Sequence, residues 1–264
     1  YQIIIFLIKN LPTSYSYFIG RRIMGILFLF NKKDQQTIKN NIEKAGIIPT
    51  PDLIKQTFYN FTYYLIDFLA CSKINEKNID QFIISQGENY INEALRLNKG
   101  VIILSAHIGN WELGGIYLGL KGYKFNAVAF PHKTQRVNKI FDSRRESHKI
   151  KLLYLKKAAQ GCLTALKNNE LVALIADRLF NQEEKPIIVN FMNSKIKVPR
   201  GPALLSIKTG APLIPTFQIK TNAVKIATKI SLFFVNKPLK SIQITQRLLC
   251  VGYIYSFLIL KILS

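Results

Sequence analysis

Residues 101–115 read VIILSAHIGNWELGG. A short run of mostly apolar, β-prone residues ends at His107, and Gly109 and Asn110 turn the chain into a helical stretch that carries Glu112. A run this short that never alternates with polar residues is a strand covered on both faces, and a helix directly behind it is the first half of a strand-helix-strand unit. The reading therefore begins with an α/β layered fold, in which a histidine sits at the carboxyl tip of a buried strand.

The neighbouring sequence has the same texture. From residue 83 onward, β-prone runs alternate with helical ones: KFNAVAF (124–130), a basic helix from His132, LVALIAD (171–177), PIIVNF (186–191) and KIKV (195–198). A helix opening at RGPALLSIKTG (200–210) follows, then APLIPTFQI (211–219) and KIATKISLFFV (225–235). Strands spaced by helices predict a mixed β-sheet flanked by helices. Ahead of this body lie two apolar helical segments, Tyr15 to Phe30 and Leu53 to Ala70, separated by the polar NKKDQQTIKNNIEKAG. The second mixes aromatics and leucines almost all round, so residues 1–75 are expected to be a helical region lying on or in a membrane, or against the body. With no repeat or low-complexity linker, the 264 residues are expected to form one domain, with residues 83–235 as its α/β core.

Composition narrows the partners. The chain holds 37 Lys+Arg against 15 Asp+Glu, a formal charge of +22, yet 48% of its residues are hydrophobic. Net charge of that size calls for anionic partners. A chain both basic and apolar suits a membrane surface better than nucleic acid, for which no groove motif with stacking aromatics is present. Cysteines 71, 162 and 250 form neither a disulfide framework nor a zinc pattern. The first residue is Tyr1 rather than Met, which leaves room for an upstream segment, and the opening apolar run is too short to span a bilayer.

His107 at a strand tip is placed to take a proton from a hydroxyl, and a carboxylate on its other ring nitrogen would fix the tautomer. Glu112, one helical turn into the next element, is the candidate for that carboxylate. Counting alone carries little weight here, because with 15 acids in 264 positions chance puts one five residues after a given histidine about 6% of the time.

Four longer blocks carry far more. GENYINEALRLNKGVIILSAHIGNWELGG (87–115) resembles the signature of the bacterial lipid A biosynthesis acyltransferases. LPTSYSYFIGRRIMGILF (11–28), FPHKTQRVNKIFDSRRE (130–146) and the stretch from Ala176 to Phe217 are similar to the same family in the same order. The resemblance implies transfer of an acyl chain from acyl carrier protein to a hydroxyl of a lipid A precursor, at the cytoplasmic face of the inner membrane. His107 would be general base and Glu112 its orienting acid, with no metal or cofactor. The acceptor, a phosphorylated glycolipid, would be held by Asn110, Arg136, Asn138, Arg145, Asp177, Arg178 and Gly201. Arg144 is the other candidate for the position of Arg145, since RRESHKI lacks the glycine that usually follows the second arginine in the family. A solvated basic helix face and a structural cap are the plain alternatives for the arginines and for Asp177 with Gly201. Acylation of another membrane lipid remains a second reading, and a catalytically decayed, membrane-associated relative a third. The third is prompted by the chain's ending, where residues 248–264 are apolar and lack the Trp, His and Arg with which the family closes.

Overall fold

The structure, a computed structural model, describes residues 2–132, 134–179, 185–191, 194–220 and 226–230. The atypical apolar ending, including Cys250, and the distal half of the strand expected at 225–235 lie outside the described residues.

Four helices open the chain: α1 (Gln2–Asn10), α2 (Thr13–Phe30), α3 (Lys32–Lys44) and α4 (Pro51–Ala70). Local chemistry sets their starts. The Asn31 side chain accepts from the Asp34 amide ahead of α3, and Thr50 accepts from the Leu53 amide ahead of α4, whose first residue is Pro51. Such caps satisfy amides that have no partner inside the helix, each worth about 1 kcal/mol. α4 buries Phe58, Phe61, Tyr64, Ile66 and Phe68 on more than one side, as its all-round apolar character requires. α2 lies against it so closely that a Cβ on Gly20 would sit 2.6 Å from Ile66 Cδ1. Among the described residues no helix is long and apolar enough to cross a membrane.

After a 3-10 turn (Cys71–Lys73) the α/β body follows. In order come α5 (Ile79–Phe82), β1 (Ile83–Gln86), α6 (Glu88–Leu95), β2 (Val101–Ser105), α7 (Trp111–Leu120) and β3 (Phe125–Ala129). Then come α8 (Gln135–Glu146), β4 (Ile150–Tyr154), α9 (Leu155–Lys167) and β5 (Leu171–Ile175). The hairpin β6 (Ile187–Phe191) and β7 (Ser194–Val198), α10 (Gly201–Thr209), β8 (Leu213–Lys220) and β9 (Ile226–Ile230) complete the described chain.

The main sheet has the order β1-β9-β8-β2-β5-β3-β4. Five strands from β8 to β4 run parallel, and β9 pairs antiparallel with β8 and parallel with β1. This is the mixed sheet expected from the sequence. β2 is buried along its whole length. Its residues alternate between two cores: Val101 and Ile103 face α4, α6, α7 and α8, whereas Ile102 and Leu104 face α9 and the β6-β7 hairpin. Phe68 of α4 is fully buried in the first of these cores.

One expectation is corrected. The basic stretch from His132 to Lys157 is not one helix, because α8 ends at Glu146, Lys149 turns at φ 64°, and residues 150–154 form edge strand β4. Ile150 and Leu152 pack into the core while Lys151 is exposed. That alternation serves a strand whose outer edge is charged. β1 also carries no distinctive pattern in four residues and emerges only through its pairing with β9.

Candidate active site

The site is built by register. Ser105, the last residue of β2, pairs with Ile175, the last residue of its parallel neighbour β5. The chain runs two residues further in each case, and so His107 and Asp177 arrive side by side at the carboxyl edge of the sheet. His107 Nδ1 lies 2.8 Å from Asp177 Oδ1, and the His107 backbone amide donates to Asp177 Oδ2 at 2.9 Å. Both residues are buried, at 7% and 2% exposure. An ionised carboxylate can only accept, so Nδ1 carries the proton and Nε2 keeps its lone pair.

Aromatic packing holds the ring. Trp111 meets the imidazole edge-on with centroids 4.6 Å apart, and Tyr64 of α4 stacks on Trp111 at 4.4 Å. Arg178 follows Asp177 directly and brings Nη2 to 3.5 Å from Nε2. Burial pulls the Arg178 pKa down, and the Asp177 charge acts in the opposite direction.

Glu112 is elsewhere engaged. Arg145 of α8 grips it in a two-pronged pair, Nε to Oε2 at 2.9 Å and Nη2 to Oε1 at 2.5 Å. Burial lowers the Arg145 pKa, but the charge and hydrogen bonds of Glu112 outweigh it and the net shift is upward. The Tyr64 hydroxyl is held far above its ordinary pKa, first by burial and then by the Glu112 charge. Thus the carboxylate on the His107 ring is Asp177, not Glu112, which forms an ion pair at the start of α7 instead. Its position in the first helical turn is favourable for a negative charge in its own right.

The remaining residues singled out from sequence fall into two groups. Arg145, Arg178 and Gly201 line one cleft with His107 and Glu112. Arg145 rather than Arg144 is the one that turns into it. Asn110, Asn138 and Arg136 do not line it. The Asn110 carboxamide caps α7 by accepting from the Leu113 amide and donates to the Tyr64 carbonyl. Asn138 clasps the loop before α8, with its oxygen accepting from the His132 amide and its nitrogen donating to the His132 carbonyl. Arg136 is exposed on the first turn of α8. Tyr64 and His132, not expected at the site from the sequence, also line the cleft. Burial and the Arg145 charge lower the His132 pKa.

The cleft itself has a volume of about 790 Å³. Beyond His107 its walls are apolar, drawn from Val128, Leu174, Ala158, Cys162, Leu163 and Leu205. Burial pushes the Cys162 thiol up to about 11, so it is a neutral packing group there. Gly109 makes the turn possible: its φ is 58°, and a Cβ on it would fall 2.0 Å from the Gln218 carbonyl oxygen. A side chain at that point is excluded both by conformation and by space.

A histidine held by a carboxylate beside an apolar cleft at a strand edge is an arrangement suited to base-assisted chemistry on a molecule with an apolar part. Residues 1–234 match the bacterial lipid A biosynthesis acyltransferase family, and the chain belongs to it. It is 27% identical to a phosphatidylinositol mannoside acyltransferase of Mycobacterium tuberculosis over 191 residues, 69% of this chain and 60% of that protein. A protein with the same name from Mycolicibacterium smegmatis is 24% identical over 168 residues, 62% of this chain and 55% of the relative. The lipid A biosynthesis palmitoleoyltransferase of Escherichia coli is 20% identical over 221 residues, 82% of this chain and 72% of that protein. The chain therefore spans about three-fifths of the length of the mycobacterial relatives.

Proposed function

We propose that this protein moves a fatty acyl chain from the thioester of acyl carrier protein to a hydroxyl of a phosphorylated glycolipid, a lipid A precursor, at the cytoplasmic face of the inner membrane. The observation that carries the reading is the His107-Asp177 bond, which leaves Nε2 as a base at the mouth of an apolar cleft. Nε2 takes the hydroxyl proton as the oxygen attacks the thioester carbon. Asp177 stabilises the imidazolium that forms. The C–S bond then breaks, and the departing sulfur takes the proton back from Nε2. Arg178, at 3.5 Å from Nε2, is placed to stabilise the negative charge that builds on the carbonyl oxygen. The apolar walls receive the chain. The Glu112-Arg145 pair acts as a brace: it fixes the start of α7, and hence Trp111 and the turn that bears His107.

A second acceptor is favoured by the similarity to the mycobacterial phosphatidylinositol mannoside acyltransferases. Both readings share the donor chemistry and differ in the glycolipid. Incubating the purified protein with labelled acyl carrier protein and each acceptor, and weighing the lipid product, separates them. No product with either acceptor, from protein that folds and binds lipid, would identify a decayed relative instead. His107→Ala is expected to abolish product formation.

A further inference from the structure

Among the described residues, two exposed apolar faces differ in kind. The outward stripe of α2 presents Tyr15, Phe18, Ile19, Ile23, Ile26 and Phe30, each at least 41% exposed. That is a long greasy face suited to a bilayer. The outer face of α10 is small by comparison. It shows Leu204 and Ile207, at 53% and 52% exposure, with exposed Arg200 ahead of its first turn and exposed Lys208 in its last. Residues 194–213 contain no Asp or Glu, and neither does α9 on the facing wall, which adds exposed Lys157. Leu204 and Lys208, one turn apart on α10, both line the cleft, so this face is continuous with its rim.

We infer that the rim formed by α10 and α9 docks a small acidic protein that carries the acyl thioester on a flexible arm. The inference rests on the acyl-transfer reading above and identifies where the donor lands. Two exposed aliphatic side chains are too few to hold a bilayer but suit the centre of a small protein contact. Cations beside such a centre, here Arg200, Lys208 and Lys157, speed encounter with an acidic partner and reject basic ones. The cleft immediately behind the rim takes the chain that the arm delivers, and it brings the thioester carbon toward His107.

The test is binding, which needs no turnover. Fluorescently labelled acyl carrier protein is titrated with the full chain and anisotropy is followed at low and at moderate salt. Binding to the wild type is expected to weaken steeply with salt, and Arg200→Glu with Lys208→Glu is expected to weaken it about tenfold or more. Lys124→Glu, a single charge reversal at the opposite end of the sheet, is expected to stay within about twofold. Equal weakening by Lys124→Glu, an unaltered affinity in the double variant, or no binding by the wild type would each overturn the proposal. Loss of binding to phosphatidylglycerol vesicles by the double variant, with carrier binding intact, would assign the rim to the membrane instead. Thermal melting of each variant confirms folding. A wild type that binds the carrier but transfers no acyl chain would refute the proposed function while leaving the docking surface in place.

Discussion

His107 and Asp177 lie 70 positions apart and touch through two hydrogen bonds, one from the ring and one from the backbone. The double contact means that Asp177 determines both where the histidine sits and which ring nitrogen carries its proton. Asp177→Asn keeps the shape but offers an amide that can donate to the ring and so stabilise the wrong tautomer. Acyl transfer by this variant is expected to fall by about 10²–10⁴-fold with little change in melting temperature. A steady-state assay on the purified variant checks both.

The Glu112-Arg145 pair predicts a different phenotype. Both side chains are largely buried, at 8% and 14% exposure, and removal of one partner strands a charge. Glu112→Ala should therefore cost about 3–5 kcal/mol of stability, read from denaturant unfolding. Adding Arg145→Met to it should return a large part of that loss. Unchanged stability in Glu112→Ala would remove the bracing role.

Two glycines separate by their surroundings. Gly109→Ala is expected to prevent folding or to destabilise severely, because the new Cβ meets the Gln218 carbonyl and φ is 58°. Gly201→Ala places its Cβ where nothing lies within 4 Å and should melt within about 0.5 kcal/mol of the wild type.

His132 predicts a pH dependence. Burial, and then the nearby Arg145, lower its pKa in the folded protein, so the fold favours the neutral ring. The stability this contributes is complete above the unfolded value of about 6.5 and is lost as pH falls through the lower folded value. Denaturation midpoints at pH 5.5 and 7.5 should therefore differ less in His132→Asn than in the wild type.

The outward stripe of α2 is expected to govern membrane attachment. Phe18 and Ile26 are 59% and 60% exposed, so replacing both by serine should leave the melting temperature unchanged. Partition onto anionic vesicles should drop at least about tenfold, given roughly 1.5–3 kcal/mol for each apolar side chain buried in lipid.

The layered fold was readable because buried parallel strands leave an unmistakable trace: VIIL and LVALI are apolar at every position, and each run reaches a polar residue, His107 or Asp177, six places after it begins. Position on the sheet was not readable. Glu112 is near His107 in sequence and attracted the assignment, whereas Asp177 is near it only through the pairing of β2 with β5. Aligning the two runs, VIILSAH with LVALIAD, would have suggested the partnership, since each ends in a polar residue at its seventh place. Edge strand β4 escaped because its lysine-rich surroundings continue the charge pattern of α8. Tyr64 escaped because α4 is aromatic all along, and nothing local distinguishes the ring that reaches the cleft.

That tyrosine has a further consequence. Its ring stacks on Trp111 and its carbonyl accepts from Asn110, while the helix that bears it presses against α2 by way of Ile66. The helix that packs behind the greasy stripe thus supplies part of the wall around His107. A fragment starting at Ile83 would lose that wall and bare the core that Phe68 covers, so the candidate site cannot be separated from the helices before it by cutting the chain between them.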